Sequence, residues 1–134
     1  MKPHFLLLIL MVATATGLRA AVVPGVGFEQ RLGEKLPFDA RFRDTEGTEQ
    51  ALGKWFQGKP VVLWFGYARC PQLCSVVSEG MVSSLRALEP TAGRDFDVIM
   101  ISIDPAEPAT DSRHSRDEAV GHYGRKEASA GWHY

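Results

Sequence analysis

Cysteine is scarce in this chain, with two in 134 residues. Two cysteines exclude a scaffold of several disulfides. Cys70 and Cys74 lie so close in sequence that a bond between them would close almost no chain, and loop-closure entropy would add little. A purely structural disulfide is therefore a poor reason for the pair. No second Cys-x-x-Cys and no nearby His-x-x-x-His accompanies it, so sequence neighbours cannot complete a four-ligand zinc site. An excess of one charge is missing too: 15 Lys and Arg face 16 Asp and Glu, a net charge of -1. That balance leaves no basic footprint for nucleic acid. Internal repeats and low-complexity tracts are also absent.

The sequence has no apolar run of the roughly 20 residues that a membrane-spanning helix needs. Its start instead carries Lys2, the apolar run Phe5 to Ala13, and small residues up to Ala20. Residues 1–20 read as a secretory signal peptide, with an uncleaved N-terminal anchor, and so a membrane tether, as the alternative. Gly17, Ala20 and Ala21 each offer the small side chain that precedes a cut, and His4 departs with the leader. Export places the chain in the periplasm or on the outer side of the cytoplasmic membrane. There a cysteine pair is exposed to oxidation and must be a disulfide or a protected thiol site.

What remains is 45% hydrophobic and 23% charged over the whole chain, the balance of a globular domain. Residues 21–36, with Pro24, Gly25, Gly27 and Gly33, read as a linker, and 37–134 as one folded region. Phe38 to Phe42 and Thr48 to Leu52, separated by the turn residues Asp44 to Gly47, predict a β-hairpin, and Leu52 to Phe56 one helical turn. Val61 to Phe65 is a continuous apolar run, as in a strand buried on both faces. A helix follows Cys70, with Pro71 suited to its first position. Its apolar face is drawn by Val76, Val77, Met81, Leu85 and Leu88, and Glu89-Pro90 ends it. Phe96 to Ile103 is a second buried strand. Thr110 to Tyr123 is a polar helix with Ala119, Val120 and Tyr123 on its thin apolar side and Gly124 near its end, and Gly131 to Tyr134 starts another strand. The fold class is α/β, a hairpin followed by a right-handed parallel βαβ unit. Two buried parallel strands leave an apolar edge uncovered, so the sequence reads as a fragment or a truncated reading frame.

Cys70-Pro71-Gln72-Leu73-Cys74 falls where a strand gives way to a helix, the rim of an α/β sheet where ligands bind. At i and i+4 the two sulfurs share one helix face and can meet one atom or each other. The helix N-terminus is expected to lower the cysteine pKa. Thiolates select soft metals, and two of them suit near-linear Cu(I), so copper is the metal expected. Metal binding, redox exchange and simple packing of two small hydrophobes all remain open on spacing alone.

The run Val62-Leu63-Trp64-Phe65-Gly66-Tyr67-Ala68-Arg69-Cys70-Pro71-Gln72-Leu73-Cys74, followed by Ile101-Ser102-Ile103-Asp104-Pro105, resembles the Sco/SenC family of thioredoxin-fold copper chaperones. The likeness runs from about Leu36 to the end of the chain. It implies a thioredoxin-like domain of which this chain carries the first half to two-thirds. It also implies a copper ion held by Cys70 and Cys74 and delivered, as copper or as reducing equivalents, to the binuclear copper centre of a haem-copper respiratory oxidase. The partner implied is the copper-site subunit of that oxidase, with other copper carriers as further candidates. The same pair would be catalytic in a thiol-disulfide oxidoreductase acting on an oxidase subunit, and an inactive fragment is the third reading. A Cys-x-x-x-Cys counts against a general thioredoxin-like reductase, which uses Cys-x-x-Cys.

Two departures stand out. The family completes its copper site with a histidine in a segment beyond Tyr134, and no residue here matches it. The second acidic residue that commonly follows the family's Ser-x-Asp-Pro is displaced, since the chain reads Asp104-Pro105-Ala106-Glu107-Pro108. His114 and His122 read as the solvated face of the polar helix, and His133 as a partly buried strand residue, with ligand roles as the sharper alternatives. Trp55, Trp64 and Phe65 are expected in the core, Tyr67 beside the site, and Asp104 either lining it or capping the next turn.

Overall fold

The computed structural model describes residues 25, 27, 29–70 and 73–134. The leader expected over 1–20, most of the first linker residues, and Pro71 and Gln72 lie outside the described residues. Among the described residues no helix is long and apolar enough to cross a membrane. The chain divides at Leu36; in the stretch before it, Arg31 pairs with Glu29 and Glu34.

The part from Leu36 opens with a hairpin, β1 (Arg41–Arg43) paired antiparallel to β2 (Glu49–Ala51). It begins later than the alternation from Phe38 suggests, because residues 38–39 form a turn after Pro37. The reversal is made by Asp44, whose carboxylate accepts the N–H groups of Glu46 and Thr48 at 3.0 and 2.9 Å, and by Gly47 at φ 79°. An Asp at the start and a residue tolerant of positive φ near the end are what such a turn demands. A 3₁₀ turn, Leu52–Trp55, follows and buries Leu52.

Three parallel strands form the second sheet: β3 (Val61–Gly66), β4 (Asp97–Ser102) and β5 (Trp132–His133), in the order β3-β4-β5. The crossovers carry α1 (Leu73–Arg86) and α2 (Ala109–Tyr123). Val62, Val98 and Trp132 point to the helix side, where they join Val82, Leu85, Ala119 and Tyr123 in one core. The Gly131 to Tyr134 segment thus makes a third strand rather than leaving two. The central strand is β4, with residues 97–100 all buried. β3 is an edge strand, and Phe65 is 66% exposed. The expectations that β3 is buried on both faces and that Phe65 is core are corrected accordingly. Two equally apolar runs compete for the centre, and β5 pairs with only one of them.

The apolar face of α1 also differs from the one expected. Val82 and Leu85 are buried and Met81 packs against them, whereas Val76, Val77 and Leu88 are exposed. At 100° per residue Val76 and Val77 sit more than a quarter turn away from the Val82–Leu85 line that the sheet selects, and Leu88 lies beyond the end of the helix at Arg86. Gly124, at φ 72°, closes α2 as a left-handed C-cap, donating its N–H to Val120 at 3.0 Å.

Candidate metal centre

In a parallel sheet the carboxyl ends of neighbouring strands reach the same rim, and the loops leaving β3 and β4 meet there. The ladder runs to Gly66 opposite Ser102, and the Ile103 N–H extends it by donating to the Gly66 carbonyl at 2.9 Å. The β3 loop then carries Tyr67, Ala68 and Arg69 to Cys70, and Cys74 lies in the first turn of α1. Cys70 and Cys74 are half-buried and not joined by a disulfide, and their side chains hydrogen-bond to each other. The spacing argument therefore holds: the structure brings the two sulfurs together.

The electrostatics reverse the expectation of a lowered pKa at Cys74. Its thiol is raised above the ordinary 9.0, first by the hydrogen bond with the Cys70 side chain and then by burial, with the charges of Cys70 and Glu107 adding to it. A hydrogen bond from the Tyr67 backbone opposes the shift without overcoming it. Two acidic groups sharing one small site disfavour the anion more than a helix terminus favours it.

Both cysteines line a cleft of about 400 Å³ together with Trp64, Tyr67, Met100 and Tyr134. Tyr67 thus borders the site as expected, at 43% exposure. Trp64 reaches the cleft from the helix side of β3. His122 lines the same cleft from the last turn of α2. His114 lies in an exposed i,i+4 pair with Glu118 at 3.5 Å. His133 is on the opposite side of the sheet, its ring 4.4 Å from that of Trp55 and its pKa pushed down, chiefly by burial. Among the described residues no three His, Cys, Asp or Glu side chains gather closely enough to hold one metal ion. The donors present fit two-coordinate Cu(I), a soft ion that two thiolates satisfy, and do not fit zinc.

Asp104 caps: its carboxylate accepts the Ala106 N–H at 2.9 Å. The acid that touches the cysteine loop is Glu107. Its Oε2 accepts the Ala68 N–H at 2.9 Å and the Ser102 hydroxyl at 2.5 Å, and its Oε1 accepts the Arg69 N–H at 2.7 Å. Burial alone would raise its pKa, but the bonds from Ser102, Arg69 and Ala68 outweigh it and hold the carboxyl below the ordinary 4.5. Arg69 adds a looser tie to Asp111 of α2 at 3.6 Å. Sequence reasoning set Glu107 aside because the stretch Asp104-Pro105-Ala106-Glu107-Pro108 departs from the family pattern. The available signal was an acid only a few residues beyond the end of a strand, within reach of the neighbouring rim loop.

Comparison with known proteins bears on the family and the fold. A protein-family model described as SCO1/SenC matches residues 30–124. A solved structure described as an electron transfer protein from Aquifex aeolicus VF5 is similar at 29% identity, over 77% of this chain and 61% of its own, with a TM-score of 0.60. A second, an electron transport protein from the same organism, is 30% identical over 77% and 60%, with a TM-score of 0.54. Arabidopsis thaliana ScoI with copper bound aligns more loosely, at 21% identity over 60% of this chain and 52% of its own, with a TM-score of 0.48. No curated protein matches. The chain spans about 60% of the length of the first two structures.

Proposed function

The chain belongs to the SCO1/SenC family, and from that premise we propose that it is a copper carrier that takes Cu(I) between Cys70 and Cys74. The observation that carries the reading is the meeting of the two thiols at the sheet rim, half-buried beside an open cleft. Two thiolates bind the cargo ion, and loading requires Cys74 to give up the proton that its surroundings favour. With two donors gathered among the described residues, the ion stays reachable by the thiols of a receiving protein, which suits handover by ligand exchange. The recipient is the binuclear copper centre of a haem-copper respiratory oxidase, approached from the outer side of the membrane after export. Residues 1–20 supply the leader or tether.

A second reading, thiol-disulfide exchange on an oxidase subunit, is supported by the direct hydrogen bond between the two thiols. The raised pKa makes Cys74 a poor attacking group at neutral pH, because the thiolate is the nucleophile. It would then be the resolving cysteine. An anaerobic Cu(I) titration of the reduced chain against a competing chelator separates the readings. One-to-one binding that disappears in the Cys70→Ala, Cys74→Ala double variant is expected. Binding that does not depend on the cysteines, or no binding, sinks the copper reading and leaves thiol exchange or an inert chain.

A further inference from the structure

Most acidic side chains of the described region pair with one neighbour or face water. Glu107 is different, because one carboxylate gathers three donors from two separate segments: the Ala68 and Arg69 N–H groups from the β3 loop, and the Ser102 hydroxyl from the end of β4. Those backbone groups belong to the two residues immediately before Cys70. The carboxylate is itself held on a stiff turn: the Glu107 N–H donates to the Asp104 carbonyl at 3.2 Å, and Pro105 and Pro108 restrict the chain on either side. Charge-assisted bonds to backbone N–H groups are roughly twice as strong as neutral ones. The loop's other described ties are the Gly66 carbonyl bond, the Tyr67 backbone bond to Cys74 and the exposed Arg69–Asp111 pair, and none of them holds the backbone of residues 68 and 69 to β4.

We infer that Glu107 is a positioning residue of the metal centre: by clamping the backbone of residues 68 and 69 to the end of β4, it fixes the direction in which Cys70 is presented to Cys74. The inference rests on the copper-carrier reading for its consequence, since a preset sulfur pair loses less freedom when the ion binds. Glu107 touches no ligand itself. It lets an edge strand, which has no neighbour on its outer side among the described residues, hold a site in register.

The test compares the full-length reduced chain with Glu107→Ala, Glu107→Gln and Ser102→Ala. It reads amide hydrogen exchange at Ala68 and Arg69, Cu(I) partition against a chelator, and the thermal midpoint. In Glu107→Ala, exchange at the two amides should rise about tenfold and Cu(I) affinity should fall about tenfold, the scale of one charge-assisted bond, with the midpoint nearly unmoved. Glu107→Gln keeps one carbonyl oxygen and should fall between Ala and wild type. Ser102→Ala keeps both backbone bonds, and its effect should stay within about threefold. Unchanged exchange at Ala68 and Arg69 in Glu107→Ala overturns the inference. So does faster exchange throughout β3 and α1, which would make Glu107 a general staple of the fold. A wild-type chain that takes no Cu(I) would remove the carrier reading, while exchange at the two amides would still decide the clamp.

Discussion

The two ends of the three-stranded sheet are built on different principles. At the end where β4 begins, the chain is closely packed and heavily tied. The Lys59 ammonium reaches the buried Asp97 carboxylate at 2.8 Å and the Gly93 carbonyl at 3.1 Å, and the Tyr123 hydroxyl receives the Ala92 N–H. The Arg125 guanidinium donates to the carbonyls of Arg86, Leu88, Glu89 and Pro90, which closes the turn after α1. Gly93 and Gly131 touch backbone to backbone there. At the rim where β3 and β4 end, Phe65, Tyr67 and Leu73 are exposed, and the cysteine loop is held chiefly by one carboxylate. Stability is concentrated at one end and chemistry at the other, so damage to each should read out differently.

The largest effect is expected at the packed end. Trp132 is fully buried, its ring 5.2 Å from that of Tyr123, and Trp132→Ala should cost about 3–5 kcal/mol, the range for emptying an aromatic core position. Gly93→Ala belongs beside it. Its φ is 87°, and a Cβ would stand 1.9 Å from the Glu127 carbonyl oxygen, so the loss should reach about 3 kcal/mol, the upper range of local backbone strain. Denaturant unfolding measures both. If either variant weakened copper binding while leaving the unfolding midpoint in place, the division between the two ends would be wrong.

A smaller loss is expected from Asp97→Ala. Asp97 is buried, but the Lys59 side chain is a third exposed, and water screens a cation in that position. About 1–2 kcal/mol is the expected cost, mostly from leaving the Lys59 ammonium without its anion. Cu(I) affinity should not change.

These two ends were not equally legible before the structure. The cysteine pair, its rim location and the α/β order followed from local signals: the Val61 to Phe65 run, the stop at Asp104-Pro105, the cap at Gly124 and the i,i+4 spacing. The thioredoxin-like fold came from the motifs around Cys70 and Asp104. What escaped was non-local. Which apolar run sits at the centre depends on where β5 docks. Which valines of α1 are buried depends on the face that the sheet meets, so Val82 was passed over for Val76 and Val77. Glu107 was invisible as a clamp because its partners are backbone groups nearly forty positions away, and backbone N–H groups leave no mark in the residue types. The Cys74 pKa failed for a related reason. The helix terminus and the nearness of the two sulfurs can be read from sequence, but the burial of the thiol and the Glu107 charge beside it cannot.

The smallest expected change in stability, and the largest in chemistry, is at Cys74. Cys74→Ser keeps the side-chain shape and should move the unfolding free energy by about 0.5 kcal/mol or less, while one-to-one Cu(I) binding is lost. The wild-type pH dependence sharpens this further. Cys74 is raised above 9.0 in the folded chain, so the native state keeps a proton that the unfolded chain gives up as pH rises past that value. The stability contributed by the thiol is therefore fully present below about pH 9 and lost as pH climbs through the folded pKa. Copper uptake runs the other way. The ion competes with the Cys74 proton, so apparent Cu(I) affinity should increase with pH across the neutral and mildly alkaline range, by about tenfold per unit for each proton released. Chelator competition at several pH values reads that slope directly. A flat profile would mean that Cys74 is already a thiolate, and the opposition between the hydrogen-bonded thiol pair and the helix terminus would have been resolved in favour of the helix.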